Sequence, residues 1–495
     1  MLLLFVASAN VIESMLRRRF VTRAVALALL AVVLAFGAPA LAKNSEQPEN
    51  AAPLGTQDTF IDHTTFAPFW FGAEMNTILQ MHPTFSARYT GDHSLAPGAE
   101  TAASGLFTVF FAYQPHRTTE IILDAEMAVG TGFSQALGVA GFTNLDVVRN
   151  PTLSSEPYVS RFEIHQMIPL TRDWEENDER GPITTFKMVP RHRIELRLGK
   201  MATVDLFDIN PAGSDSHMQF INWTVDNNGA YDYAADTRGY TYGLVVEYQG
   251  PYLEARFGEM LMPKVANGLD IDFDVARAHS EQLELELKYL RRDNWRGTLR
   301  ILYYENFANM GDYQQAIDAY RANPVTNPDI VATRKQGTTK LGFGLNLIQQ
   351  LGPYIRAFAR GGWNDGRHES FAYTEVDDTF ELGADLVGKW WHRPVDKIGL
   401  AFVTNGISAV HQEYLRLGGH GFILGDACAF SNPTCIVRPA GYLDYARENI
   451  VELYYNAHIW RGAFVTGDIQ FVDNPGYNQD RGPAWVFSLR GHLEL

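Results

Sequence analysis

The 495-residue chain has only two cysteines, Cys428 and Cys435. That excludes a disulfide-built fold, and no further thiols or imidazoles flank the pair at the spacing a zinc site needs. In an oxidising compartment the pair is expected to close one short loop as a disulfide. Positive charge is also scarce, with 41 Lys and Arg against 57 Asp and Glu and a formal net charge of −16. Such a chain is a poor nucleic-acid partner, because a phosphate backbone needs a basic surface. Beyond residue 42 there is no uncharged apolar run long enough to cross a bilayer as a helix. Catalytic signatures are missing too: no G-x-S-x-G, no H-E-x-x-H, no P-loop, no strand-linked G-x-G-x-x-G. No enzyme and no cofactor is nominated.

What is present favours strands and tight turns. Aromatic residues make up 12%, with 22 Tyr, 30 Phe and 42 Gly. Residues 1–42 read as an export signal. Arg17, Arg18, Arg19 and Arg23 form a basic region, Ala24 to Phe36 an apolar core, and Ala40-Leu41-Ala42 a cleavage triplet before Lys43. Apolar residues do not normally precede the basic region, which makes Met15 the expected true start. The signal carries four Arg and one Glu, so its removal takes the charge from −16 to −19. Residues 43–65 are a polar, flexible lead-in, and 66–495 form the folded body.

Period-two alternation runs through that body. Leu283, Leu285, Leu287 and Tyr289 oppose Gln282, Glu284, Glu286 and Lys288. Tyr240, Tyr242, Leu244, Val246 and Tyr248 oppose Thr241, Gly243, Val245, Glu247 and Gln249. About sixteen such segments occur, each near the length of a tilted membrane strand. The connections between them alternate long and short, as in outer-membrane barrels with long outer loops and short periplasmic turns. One departs: residues 169–191 stand where a short turn belongs. The expected fold is all-β, a transmembrane antiparallel barrel whose last segment, WVFSLRGHLEL, pairs with the first. Trp485, Phe487, Leu489 and Leu493 then face lipid; Arg490, His492 and Glu494 face lumen water.

Charges of both signs on the polar parity mark lumen candidates: Arg161, Glu163, Arg193, Glu195, Arg197 and Glu247. The stretch FDINPAGSDSHMQFINWTVDNNGAYDYAADTRGYTYG mixes aromatics with amides and charges, the chemistry of a sugar platform. The same mixture also serves to fold a long loop or build an interfacial girdle. Trp223, Tyr231, Asp232 and Arg238 are its candidates for a constriction. Asp270, Asp272 and Asp274 alternate as in calcium loops, but Phe273 replaces the expected turn and a solvated loop is the default reading.

The stretches LRLGKMATVDLFDIN, QFINWTVDNNGAYDYAADTRGYTYGLVVEY, PKVANG, GGWNDG and DIQFVDNPGYNQDRGPAWVFSLRGHLEL resemble, in order, the carbohydrate-selective porin (OprB) family. That resemblance implies a sixteen-stranded barrel in the outer membrane of a Gram-negative bacterium. It would admit mono- or oligosaccharides passively through a constriction of charged and aromatic residues. Outer-membrane lipid and the barrel-insertion machinery are the implied partners, and a lone barrel or a homotrimer both fit. Leu495 stands where the family closes on an aromatic, which bears on insertion efficiency. The competing readings are a general diffusion porin without sugar selectivity, an outer-membrane barrel hydrolase, and a secreted glycan-binding β protein.

Overall fold

The computed structural model describes residues 59–61, 63, 68–148, 153, 155–290, 295–428 and 441–495. The export signal, most of the lead-in and Cys435 lie outside them. The strands are β1 (Phe69–His82), β2 (Glu100–His116), β3 (Thr119–Gly130), β4 (Tyr158–Pro169), β5 (Trp174–Glu176) and β6 (Met188–Pro190). They continue as β7 (Arg193–Met201), β8 (Thr241–Gln249), β9 (Leu253–Leu261), β10 (His279–Leu290), β11 (Arg296–Met310) and β12 (Lys335–Gln350). The last are β13 (Ile355–Asn364), β14 (Asp378–Val387), β15 (Lys397–Gly406), β16 (Glu448–Trp460), β17 (Ala463–Asp473) and β18 (Ala484–Glu494).

Sixteen of them close into one antiparallel barrel, each bonded to the next, with β4 passing directly to β7. The seam is β18 against β1, in register from Glu74↔Glu494 to Met81↔Phe487. Closure leaves no unpaired edge, the condition a sheet must meet to stand in hydrocarbon. Among the described residues no helix is long and apolar enough to cross a membrane.

The two faces are inverted relative to a soluble sheet. Leu79, Phe343 and Leu345 are about half exposed (49%, 50% and 50%), whereas Glu284 and Asn346 are fully buried (0% each). The apolar parity therefore looks out and the polar parity looks into the barrel, as the alternation demands of a chain standing in lipid. Trp485, Phe487 and Leu489 lie on the outer face, and Arg490 and His492 are buried inside. Tyr240 departs from the expected pattern. Its strand begins one residue later, at Thr241, so its ring turns inward and its hydroxyl donates to Glu126. The alternation extends through Tyr240 only because tyrosine suits a lumen as well as a lipid interface.

Both termini of the barrel sit at the rim with short turns. The long connections gather at the opposite rim and fold together, and the largest apolar cluster among the described residues packs loop residues such as Phe142, Trp223, Tyr231, Phe371, Tyr414 and Ile423 against strand residues including Val245, Met260, Leu302 and Tyr304. Among the described residues, two helices longer than one turn lie in these loops, besides the single turn Trp223–Asp226. Tyr313–Ala322 is capped by Asp312, whose side chain accepts the Gln315 amide N–H. Ala409–Arg416 is capped by Ser408 in the same way through His411. Both caps are legible as Asp or Ser three residues ahead of the amide they receive.

The odd connection at 169–191 is the β5–β6 hairpin, on the short-turn rim. It curls back into the barrel mouth. Phe186 is fully buried against the His165 ring at 5.1 Å, beside Met167 and Val189. Arg117 lies over Trp174, and Arg180 over Trp70.

Candidate functional site in the barrel lumen

The inward parity of β3, β4, β7, β8 and β9 builds a wall of paired charges. Arg161 donates to Asp124 at 2.9 Å and also pairs with Asp205, at the start of the loop after β7. Arg197 donates to Glu163 at 2.7 Å. Glu195 meets Arg193 and the His165 ring, whose other nitrogen reaches Glu120 at 2.8 Å. Glu247 accepts from Arg256, which also pairs with Glu254 and Glu284. The six lumen candidates of this wall thus stand together on neighbouring strands, each with an opposite charge in reach. A charge removed from water needs such a partner, since an unpaired one is costly.

The loop of residues 202–240 runs inside the barrel, and its candidate residues are spent on holding it there. Trp223 stacks on Tyr373 at 4.4 Å and meets the edge of Phe142. The Tyr231 hydroxyl donates to Gln282 on β10. Asp232 accepts the amide N–H groups of Phe371 and Ala372, both at 2.8 Å, and pairs with Lys340 on β12 at 3.0 Å. Arg238 is half-buried, its guanidinium 4.0 Å from the Tyr158 ring centroid.

A pattern that the spacing of residues does not disclose connects these facts. Buried carboxylates receive the backbone N–H groups of the folded-in segments. Glu452 on β16 accepts from Ile221 and Asn222, and Glu448 from Ala140 and Gly476. Glu284 accepts from Asp208, Glu375 from Ile423 and Leu424, and Glu120 from Thr185 in the hairpin. Loop backbone inside a barrel has no ladder to bond with, so its N–H groups need other acceptors. Each such bond spares a buried N–H the cost of going unpaired, about 1–3 kcal/mol. The acidic excess of the composition is in part this set of clamps.

At the lowest reach of the loops, His217 lies 3.4 Å from Glu74 on β1 and 3.6 Å from Asp146 of the 131–148 segment. Burial opposes its charge, but Glu74 and Asp146 outweigh that and push the imidazole up to about 10. Farther up the same loop, burial pushes Asp208 up to about 6 against the pull of Arg360.

The three alternate aspartates are not gathered together. Asp270 pairs with Lys264 and Asp274 with Arg277, while Asp272 accepts from the Asp274 amide and from Gln336. Among the described residues no group of His, Cys, Asp and Glu is arranged to hold a metal ion. Cys428 is disulfide-bonded, and no described cysteine is free.

Residues 183–495 match the family model described as carbohydrate-selective porin, OprB family. The chain belongs to that family. The porin's fold is similar to the high-pH structure of Pseudomonas putida OprB, with TM-score 0.63 and 14% identity over 86% of this chain and 94% of that one. The outer membrane channel DcaP of Acinetobacter baumannii is also similar, with TM-score 0.45 and 10% identity over 86% and 97%. No curated protein matches in sequence. As a member of the carbohydrate-selective porin family, the porin is a sugar diffusion channel of the Gram-negative outer membrane. The closed barrel, with lipid-facing apolar residues and a polar lumen, is the architecture such a channel requires.

Proposed function

We propose that this porin selects neutral sugars by size and hydrogen bonding, at a constriction made where the 202–240 loop lies against the lumen wall. Arg161, Glu163, Arg193, Glu195, Arg197 and Glu247 supply the polar wall. Trp223, Tyr231 and Asp232 shape the constriction from behind by fixing the loop, and Arg238 flanks its exit toward β8. The observation carrying this reading is the loop itself, clamped inside the barrel by Glu452, Glu284 and Lys340. Paired charges offer a neutral polyol donors and acceptors while presenting little net field to attract an ion. Binding must stay weak enough to release the solute on the far side.

The export signal at 1–42 delivers the chain across the inner membrane, and the barrel-insertion machinery reads the last strand, with Leu495 at its end. Single-channel recording in planar bilayers tests the central part. Neutral hexoses or short oligosaccharides are expected to interrupt the ion current in a concentration-dependent way. Current indifferent to every neutral sugar would reduce the protein to a general diffusion pore.

A further inference from the structure

Outside the lumen, the short-turn rim carries a patch with a charge opposite to that of the chain. The segments LGPYIRA (351–357), GKWWHRPV (388–395) and AHIWRGA (457–463) stand at three consecutive short turns and contain no Asp or Glu. In a chain of net charge −16 this is a local reversal, because they hold Arg356, Lys389, Arg393 and Arg461. Side chains join the three turns into one surface. Lys389 lies over the Tyr354 ring at 5.5 Å, and Arg393 donates to the His458 carbonyl at 2.6 Å.

Two of these cations are neutralised in place: Arg356 pairs with Asp385, and Arg393 with Asp396 of its own turn. Lys389 and Arg461 are different. Both are exposed, and among the described residues they meet aromatic rings and no carboxylate: Tyr354 for Lys389, and Trp460 and Phe60, at 5.1 and 5.8 Å, for Arg461. Around them Trp390, Ile459 and Trp460 are 62%, 60% and 58% exposed. Ile459 shares its parity with Val451, Leu453 and Tyr455, which face lipid. The Trp391 ring N–H donates to the Tyr455 hydroxyl at 3.1 Å, so the turn is held against that same outer face. Asp396 also accepts the His458 amide N–H at 3.0 Å, which fixes the turn to β16.

A fixed aromatic ledge on the lipid-facing side, with exposed cations at its water-side edge, matches an amphiphile with a negative headgroup. We propose that this rim binds an anionic phospholipid of the inner leaflet of the outer membrane. Lys389 and Arg461 contact its phosphate, while Trp390 and Trp460 lie against the glycerol and the upper acyl chains. A zwitterionic lipid fits less well, because the three segments hold no carboxylate to receive its ammonium group. An acidic cell-wall glycan also fits less well. It would reach the cations from the water side and leave the lipid-facing aromatics unused. Phe60 belongs to the lead-in, so the bound headgroup also lies where the chain enters the barrel.

Lipid retained by the intact, detergent-purified porin, counted by native mass spectrometry, tests this with phosphatidylglycerol and phosphatidylcholine as probes. The parent is expected to keep phosphatidylglycerol through washing and to shed phosphatidylcholine. Lys389→Gln and Arg461→Gln should each weaken phosphatidylglycerol retention about fivefold, the contribution of one basic side chain near an anionic surface. Lys335→Gln, exposed at the long-loop rim, should leave it unchanged. Heat-modifiable migration on gels reports folding. Should a variant misfold, the parent still decides, because added salt in the wash should release phosphatidylglycerol. Equal retention of both lipids by the parent overturns the proposal, as does undiminished retention in Lys389→Gln/Arg461→Gln or an equal loss in Lys335→Gln. Displacement of the lipid by soluble peptidoglycan fragments would assign the patch to the cell wall and overturn it as well.

Discussion

His217 shows how single residues set the position of an inserted loop. Its imidazole sits between Glu74 on the wall and Asp146 on a neighbouring loop, a cation between two carboxylates. Its value is raised from the usual 6.5 to about 10, so the folded protein holds the proton more tightly than an unfolded chain does. The stability this confers is complete below about 6.5 and is lost as pH climbs toward 10. Asp208, raised to about 6 from 3.8, acts in the same direction lower on the scale, its contribution fading as pH rises between those values. Single-channel conductance is therefore expected to increase and grow noisier between pH 7 and 10 as the loop tip loosens. His217→Gln should remove that dependence. A parent protein whose current stays constant across this range would show that His217 is not what seats the loop.

At the scale of elements, the hairpin β5–β6 is where the sequence pattern and the structure most usefully diverge. The stretch LTRDWEENDERGPITTFK is too long for a turn on that rim, and its length alone shows that something is added. What is added depends on long-range partners. Glu120 receives Thr185, His165 receives the Phe186 ring, and Arg197 donates to the Ile183 carbonyl. These partners come from three separate strands, so no local pattern announces them. Replacing residues 171–191 by a short turn should leave a closed barrel and enlarge the conductance, since the removed segment occupies the barrel mouth. Unchanged conductance would mean that the hairpin lies clear of the conducting path. The strands themselves were far more legible. QLELELKYL and WVFSLRGHLEL display period two over their full length, and side-chain parity then decides which face meets lipid. The loops that fold inward have no period to read. The clamps that hold them, such as Glu452 on Ile221 or Lys340 on Asp232, join residues more than a hundred positions apart. The candidates Trp223, Tyr231 and Asp232 were recognisable as a cluster, but their burial against Tyr373, Gln282 and Lys340 was not.

At the scale of the whole molecule, an acidic chain forms a barrel with an apolar exterior and a lumen dense in carboxylates. Their charge is used in two ways: opposite arginines and lysines neutralise part of it on the walls, and loop amides occupy another part. On the function proposed above, such a lumen offers donors and acceptors to a polyol while its paired charges give an ion little net attraction. The most direct test is osmotic swelling of liposomes containing the purified porin, comparing hexoses with amino acids of similar size. Faster swelling with the hexoses is the predicted result, and equal rates for both would contradict the account.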